Sequence, residues 1–120
     1  MRNVNCNILT GADTASINGI QVDANQLLSA SFQAVFGDSS VAGTITIQGS
    51  NDVAPLQISS SSTFVVTNWT AIPNASATIT SGGSALITIS GMCYRWVRAV
   101  FTYASGGSTT VNVNMNALSQ

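Results

Sequence analysis

Apolar and amide side chains alternate strictly in the segment Val111-Asn112-Val113-Asn114-Met115-Asn116. The same pattern occurs near the start of the chain, where Val4, Cys6 and Ile8 alternate with asparagines. Strict alternation places successive side chains on opposite faces of a β-strand. Both segments are therefore predicted to be strands with one apolar face and one amide face. They are candidates for neighbouring strands, although the pairing itself cannot be read from the sequence.

Alternation continues along the rest of the chain. Further strands are predicted at 44–48, 63–67, 69–72 and 92–103, and the last of these is the longest. Three more strands are predicted around sets of alternating apolar residues: Ala30, Phe32, Ala34 and Phe36; Ala75, Ala77 and Ile79; and Ala85, Ile87 and Ile89. The Asn18-Gly19 step predicts a tight hairpin that leads into Ile20 and Val22. Residues 24–31 are the one candidate for a helical turn, and 49–62 are predicted to form a long loop. About eight strands separated by turn signals predict one domain, residues 1–120, folded as an antiparallel β-sandwich or jelly roll.

Composition excludes several functions. Of the 120 residues 45% are hydrophobic and only 6% are charged, against roughly 25% charged in a typical soluble domain. The chain has no Lys, Glu or His, and its net charge is -1. Three arginines cannot supply the cluster of cations that binding to DNA phosphates requires. Without His there is no ordinary general base near neutral pH and no His metal ligand. We therefore expect no enzymatic activity, no cofactor, no metal and no nucleic-acid partner.

Hydropathy along the chain predicts no membrane span, since the longest apolar runs fall far short of the ~18–20 residues that a span needs. The polar start, Met1-Arg2-Asn3-Val4-Asn5, lacks the apolar region of a signal peptide. We therefore expect synthesis in the cytoplasm without export. A surface with so few charges also favours association between copies, because little repulsion keeps them apart.

The segment 92–103 is the most informative candidate site. As a continuous strand it would carry large side chains on both faces, with Tyr94, Trp96, Arg98 and Val100 on one of them. One interpretation is a central strand under a long loop, with Arg95 or Arg98 paired to an aspartate near the sheet edge. The other is a face that binds a partner, since Trp, Tyr and Arg dominate interface hot spots. The candidate partner-binding residues are Tyr94, Trp96, Arg98, Trp69, Asn112 and Asn114.

The cysteines and the loop aspartates each leave two interpretations open. Cys6 and Cys93 could form a disulfide if their strands are adjacent, or they are two buried thiols, as is more common in an unexported chain. Asp38 lies in a turn and Asp52 in a loop, and both could contribute to a calcium site. Aspartates in turns more often accept local backbone hydrogen bonds, and we favour that role.

Three short motifs carry a resemblance to known families: 47–52 (IQGSND), 68–72 (NWTAI) and 94–98 (YRWVR). In this order they resemble the strand signature of discoidin-like jelly rolls, which often bind sugars or lipids. The composition and these motifs together more closely resemble the small all-β structural proteins of bacteriophage virions. That resemblance implies a decoration, cement or minor capsid protein that binds capsid or tail proteins and its own copies. The alternative is a carbohydrate-binding or adhesion module of a phage fibre or cell surface, with Trp69 or Trp96 stacking on glycans.

Overall fold

The computed structural model describes residues 2–53 and 65–119. It is all-β, and the described residues contain nine strands and no helix. The strands are β1 (Arg2–Ala12), β2 (Ile17–Asn18), β3 (Val22–Asp23), β4 (Leu27–Phe36), β5 (Ala42–Ser50), β6 (Thr70–Ile79), β7 (Ser84–Ser90), β8 (Trp96–Ser105) and β9 (Thr110–Ser119).

Two antiparallel sheets form a sandwich, which confirms the predicted fold class. Sheet A has the strand order β1-β9-β4-β7, and sheet B has the order β2-β8-β5-β6, with β3 pairing with the same edge of β8 as β2. This strand order is that of a jelly roll. The two asparagine-rich segments are neighbours, because β1 pairs with β9 in a register that opposes Asn5 to Asn116 and Asn7 to Asn114.

The core lies between the two sheets and is built from the predicted apolar faces. Phe32 of sheet A and Phe101 of sheet B are both 0% exposed. Phe36 meets Phe101 edge-on across the sandwich, with ring centroids 5.5 Å apart. The inward residues of β9, including Met115, are equally buried. Alternation in the sequence therefore identified the buried faces, because period two fixes the side of the sheet on which each side chain lies.

The hairpin predicted at Asn18-Gly19 does not form. A two-residue type I′ turn needs positive φ at both central residues, and neither of these two has it. Instead β2 and β3 both lie along β8, opposite Phe101–Val100 and Val97–Trp96. The Gly19 amide donates to the carbonyl of Ala99 at 2.7 Å. Gly19 is needed for close backbone approach rather than for a turn, since a Cβ there would lie 2.6 Å from the Ile8 carbonyl oxygen.

Several predicted strand boundaries are also wrong. The strand predicted at 92–103 begins only at Trp96, and β1, with 11 residues, is the longest. The ladder stops at Arg95 because its amide donates to the Asn51 side chain and its carbonyl accepts from the Ala24 amide. Residues 24–27 form a single turn before β4 rather than a helix.

Strands predicted separately at 69–72 and around Ala75 are one strand, β6. It bulges between Ala71 and Ser76, where Asn74 has a φ of 63°. The strand predicted at 63–67 is absent at 65–67, and 63–64 lie outside the described residues. Of the long loop predicted at 49–62, 49–50 belong to β5 and 54–62 lie outside the described residues.

Candidate partner-binding surfaces

Sheet B carries an aromatic–arginine cluster at the end where β8 begins, formed by Trp69, Arg95, Trp96 and Arg98. On β8, Val97 points into the core and is 0% exposed, so its neighbours Trp96 and Arg98 lie on the outer face. Strand register places Arg98 opposite Gln48 of β5. The predicted candidates Trp96, Arg98 and Trp69 are thus brought together.

Arg98 is the half-buried cation of the cluster. Its guanidinium carbon lies 4.6 Å from the centroid of the Trp69 ring, and its Nε donates to Gln48 Oε1 at 2.7 Å. Burial lowers the pKa of Arg98, because it removes water from the charged form. Within residues 2–53 and 65–119 no carboxylate forms an ion pair with Arg98. Among the described residues, its positive charge is compensated by an aromatic face and an amide oxygen.

Arg95 and Trp96 form the second half of the cluster. The Arg95 guanidinium lies 4.4 Å from the centroid of the Trp96 ring and also forms an ion pair with Asp23 at the sheet edge. This confirms the expectation that one of the two arginines pairs with an aspartate there. The Trp96 indole Nε1 donates to the backbone carbonyl of Asp52 at 3.1 Å. Contacts on both its face and its edge therefore hold this ring in place.

Asp52 fixes the backbone that leads to Trp69. Its Oδ2 accepts from the amides of Thr67 and Asn68 at 2.9 and 3.1 Å, and its Oδ1 accepts from the Asn68 side chain at 2.9 Å. These bonds lower the pKa of Asp52, the Thr67 amide contributing most. The sequence predicts Asp52 in a loop but gives no sign of this long-range role, because the partners lie 15 and 16 residues further along the chain.

Tyr94 lies apart from the cluster, contrary to its predicted place on one face with Trp96 and Arg98. It precedes β8, and its ring packs on the inner side of Gly49, where a Cβ would lie 2.9 Å from the ring. There it is half-buried against the core, and Ile72 lies close by. Tyr94 therefore closes one end of the core rather than facing a partner on the sheet surface.

Asn112 and Asn114 belong to a second surface, the outer face of sheet A, which we call the amide face. Asn7 Nδ2 donates to Asn114 Oδ1 at 3.0 Å, and the Thr10 hydroxyl donates to Asn112 Oδ1 at 2.6 Å. Across the four strands the register places on this face Asn3, Asn5, Asn7, Thr10, Ser29, Ser31, Gln33, Val35, Ser84, Leu86, Thr88, Ser90, Asn112, Asn114, Asn116 and Leu118. None of these side chains is charged, so the whole face presents amides, hydroxyls and a few apolar groups.

The remaining aspartates hold loops at other places in the sandwich. Asp38 accepts hydrogen bonds from the hydroxyls of Ser108 and Ser40 and from the Ser40 amide. These bonds lower its pKa to about 2, with the Ser108 hydroxyl contributing most. Asp13 is 0% exposed and accepts from the Thr109 amide at 3.0 Å. These contacts agree with the favoured structural role of the loop aspartates.

The two cysteines and the potential metal ligands occupy defined positions in the fold. Cys6 and Cys93 are free thiols and both are exposed, so neither the disulfide nor the pair of buried thiols is correct. Cys6 shares the rim of an open groove of about 430 Å³ with Val4, Val22 and Leu27, at an end where the core is incompletely covered. The part of the chain that the structure describes contains no group of three His, Cys, Asp or Glu residues arranged to hold a metal ion. No helix in that part is long and apolar enough to cross a membrane.

Comparison with known proteins identifies a solved structure with a similar fold. No protein-family model matches the chain, and no curated protein matches it. Among solved structures the chain is similar to the SPBc2 prophage-derived protein YomS, with a TM-score of 0.64 and 8% sequence identity. The match covers 98% of this chain and 94% of YomS. At this identity the similarity shows a common fold, which extends over nearly the whole of both chains.

Proposed function

We propose that this chain is a non-enzymatic structural protein of a bacteriophage virion, where it binds capsid or tail proteins and its own copies. Decoration, cement and minor capsid roles all fit this proposal. The observation that carries it is the amide face, an entire sheet surface without a charged side chain. The fold shared with a prophage-derived protein supports a phage origin. We place the chain in the virion after synthesis in the host cytoplasm.

The amide face suits binding to other proteins because removing amides and hydroxyls from water costs far less than removing charges. Four strands spaced ~4.8 Å apart, each contributing about eight residues, give the face an area of about 500 Å². Stable interfaces typically use about 800 Å² per partner. One such contact is therefore weak, and attachment would depend on many copies acting together on a particle.

The absence of enzymatic activity is part of the proposal. A general acid or base at neutral pH needs a pKa near the working pH. Hydrogen bonds lower the pKa values of Asp38 and Asp52 instead, which keeps both carboxylates ionised and committed to their loops. The chain has no His or Lys that could activate its many hydroxyls. These observations support a role based on surface contact.

The proposal is tested on particles of the phage or prophage that encodes the chain. Mass spectrometry of purified particles should detect the chain, and particles from a deletion strain should rebind the purified protein. Asn112→Lys/Asn114→Lys should weaken rebinding at least tenfold, because it places two ammonium groups on the amide face. The matched control, Thr78→Lys/Thr102→Lys, adds the same charge to exposed positions of sheet B and should rebind normally. Absence of the chain from purified particles would refute a virion role.

The second candidate function is a carbohydrate-binding or adhesion module. The observation that favours it is the half-buried Trp69 ring, over which the Arg98 guanidinium is stacked. A flat aromatic ring held in this way is suited to stacking on a sugar with its other face. A glycan array with the isolated chain tests this function, with Trp69→Ala as the variant and Asn114→Ala as the control. Specific binding that only Trp69→Ala abolishes would favour this candidate over the purely structural one.

A further inference from the structure

The four outer edges of the two sheets differ in how well they are protected against further pairing. In sheet B, β6 contains Pro73, the positive-φ Asn74 and a bulge, and the other edge consists of the two short strands β2 and β3. Proline, bulges and short strands are the usual devices that block edge-to-edge pairing. In sheet A, β1 has a bulge at Asn7–Leu9, and the Ile8 carbonyl there accepts from the Ile20 amide.

β7, the other edge of sheet A, has none of these devices. It consists of Ser84-Ala85-Leu86-Ile87-Thr88-Ile89-Ser90, without proline, glycine or charge. Its pairing with β4 is continuous, from Ser29 opposite Ser90 to Val35 opposite Ser84. In the described part of the chain it pairs with β4 alone, and Leu86 on its outer face is 67% exposed. A regular, uncharged strand of this kind is a template for one more strand.

We propose that β7 pairs with β7 of a second copy of this chain, antiparallel and centred on Ile87. A second copy suits this edge because the strand is uncharged along its whole length and has a serine at each end, so it opposes no incompatible pair to itself. Antiparallel pairing about Ile87 opposes Ile87 to its own copy, Leu86 to Thr88, Ala85 to Ile89 and Ser84 to Ser90. Such a contact is isologous and closes at two copies, as the commonest protein dimers do.

Each opposed pair in this register is chemically compatible. On the inner face Ile87 and Ile89, which are 5% and 8% exposed, would extend the apolar core across the contact. On the outer face the exposed Leu86 would be covered by the methyl group of Thr88 from the second copy. Cross-strand pairs of apolar and β-branched residues stabilise antiparallel sheets, whereas like charges directly opposite destabilise them. The pairing therefore meets no repulsion at any of its seven positions.

The resulting dimer has one continuous eight-stranded sheet, made of two copies of the four-stranded sheet A. The two amide faces then lie side by side and form a single surface of about 1,000 Å², large enough for a stable interface. This inference rests on the self-association in the proposed function and names the strand responsible. It also explains how two faces that are individually too small would act together on a particle.

Introducing charges at two positions of β7 tests the pairing. Sedimentation equilibrium of the full chain at high micromolar concentration should show a dimer. Leu86→Lys/Thr88→Lys opposes like charges twice and should raise the dimer dissociation constant at least tenfold. Leu86→Lys/Thr88→Glu opposes an ammonium to a carboxylate twice in the same register and should restore most of the affinity. The control Thr78→Lys/Thr102→Lys adds two charges to exposed positions of sheet B, away from both β7 and the amide face, and should dimerise normally.

A cross-linking measurement covers the case in which a charged variant fails to fold. In a background with Cys6→Ser and Cys93→Ser, chains with Leu86→Cys mixed with chains with Thr88→Cys should form a mixed disulfide faster than either forms with itself. Equal rates would overturn the register, and a chain that stays monomeric would overturn the pairing. Rebinding to particles is measured on the same proteins. A monomer that still attaches overturns only the pairing, whereas a dimer that never attaches supports the pairing and refutes the virion role.

Discussion

Gly19→Ala is expected to separate the two sheets at one edge of the sandwich. Gly19 lies where backbone from both sheets converges, and its added Cβ would stand 2.6 Å from the Ile8 carbonyl oxygen and 2.7 Å from that of Ala99. Both atoms belong to the backbone of strands, so neither can rotate away. The segment at 19–20 must therefore move, and the bonds from Gly19 to Ala99 and from Ile20 to Ile8, at 2.7 and 2.9 Å, are lost or lengthened.

The size of the effect follows from these contacts. Two backbone hydrogen bonds contribute about 1–3 kcal/mol together, and displacement of the well-packed edge adds about 1 kcal/mol. A loss of about 2–4 kcal/mol is a large share of the ~5–15 kcal/mol that stabilises a typical domain. For a chain of this size it corresponds to a decrease in Tm of roughly 8–16 °C.

Urea and thermal unfolding, followed by circular dichroism, measure this loss. Gly91→Ala is the matched control, because Gly91 has a φ of 73° and no atom within 4 Å of an added Cβ. That substitution should cost only about 1 kcal/mol, the penalty of a left-handed conformation. If Gly19→Ala lowered the free energy of unfolding no more than Gly91→Ala does, close backbone approach would not be the reason that residue 19 is glycine.

Three further outcomes are expected. The pKa of Asp38 in the folded protein is about 2, below its usual value of 3.8, because the Ser108 hydroxyl and a second serine donate to the carboxylate. The ionised carboxylate therefore stabilises the fold fully above pH 4, and this contribution is lost as the pH falls towards 2. Asp38→Asn should make the urea midpoint less dependent on pH between pH 4 and pH 2. Phe101→Ala should lower the free energy of unfolding by about 3–5 kcal/mol, since the ring is entirely buried, and a loss below about 1 kcal/mol would contradict this packing. Cys6 and Cys93 should both react with a thiol reagent in the folded protein; reaction only after unfolding would show that they are buried.

Local pattern was sufficient for most of the strands. Alternation alone predicts that Phe32, Val111 and Val113 lie on buried faces, and all three are 0% exposed. Alternation did not predict where the strands begin and end. Alternation continues through residues 92–95, yet the strand begins at Trp96 because Asn51 and Ala24 take the hydrogen bonds of Arg95. Those partners are distant in sequence, so the residues next to Arg95 give no indication of them.

The candidate site shows the same division. The sequence singled out Trp69, Trp96 and Arg98, and the fold brings them together on sheet B. It also grouped Tyr94 with them, whereas the ring of Tyr94 packs on the inner side of Gly49. The anchoring of Trp96 by the Asp52 carbonyl depends on a contact across 44 residues. Residue types could be chosen from the sequence, but their shared surface depends on strand pairing.

Composition and a period of two residues are sufficient to predict an all-β domain, the apolar and amide faces of its strands and the scarcity of charge. The positions of the few charges depend on how the strands pair. Pairing of β1 with β9, and of β4 with β9 and β7, assembles the uncharged sides of four strands into one face. Of the described charged residues, Asp23, Arg95 and Arg98 lie on or beside sheet B and Asp13, Asp38 and Asp52 lie in loops, whereas Arg2 begins β1 of sheet A. Strand pairing is set by contacts between distant segments, and it brings the scattered asparagines together on one continuous surface.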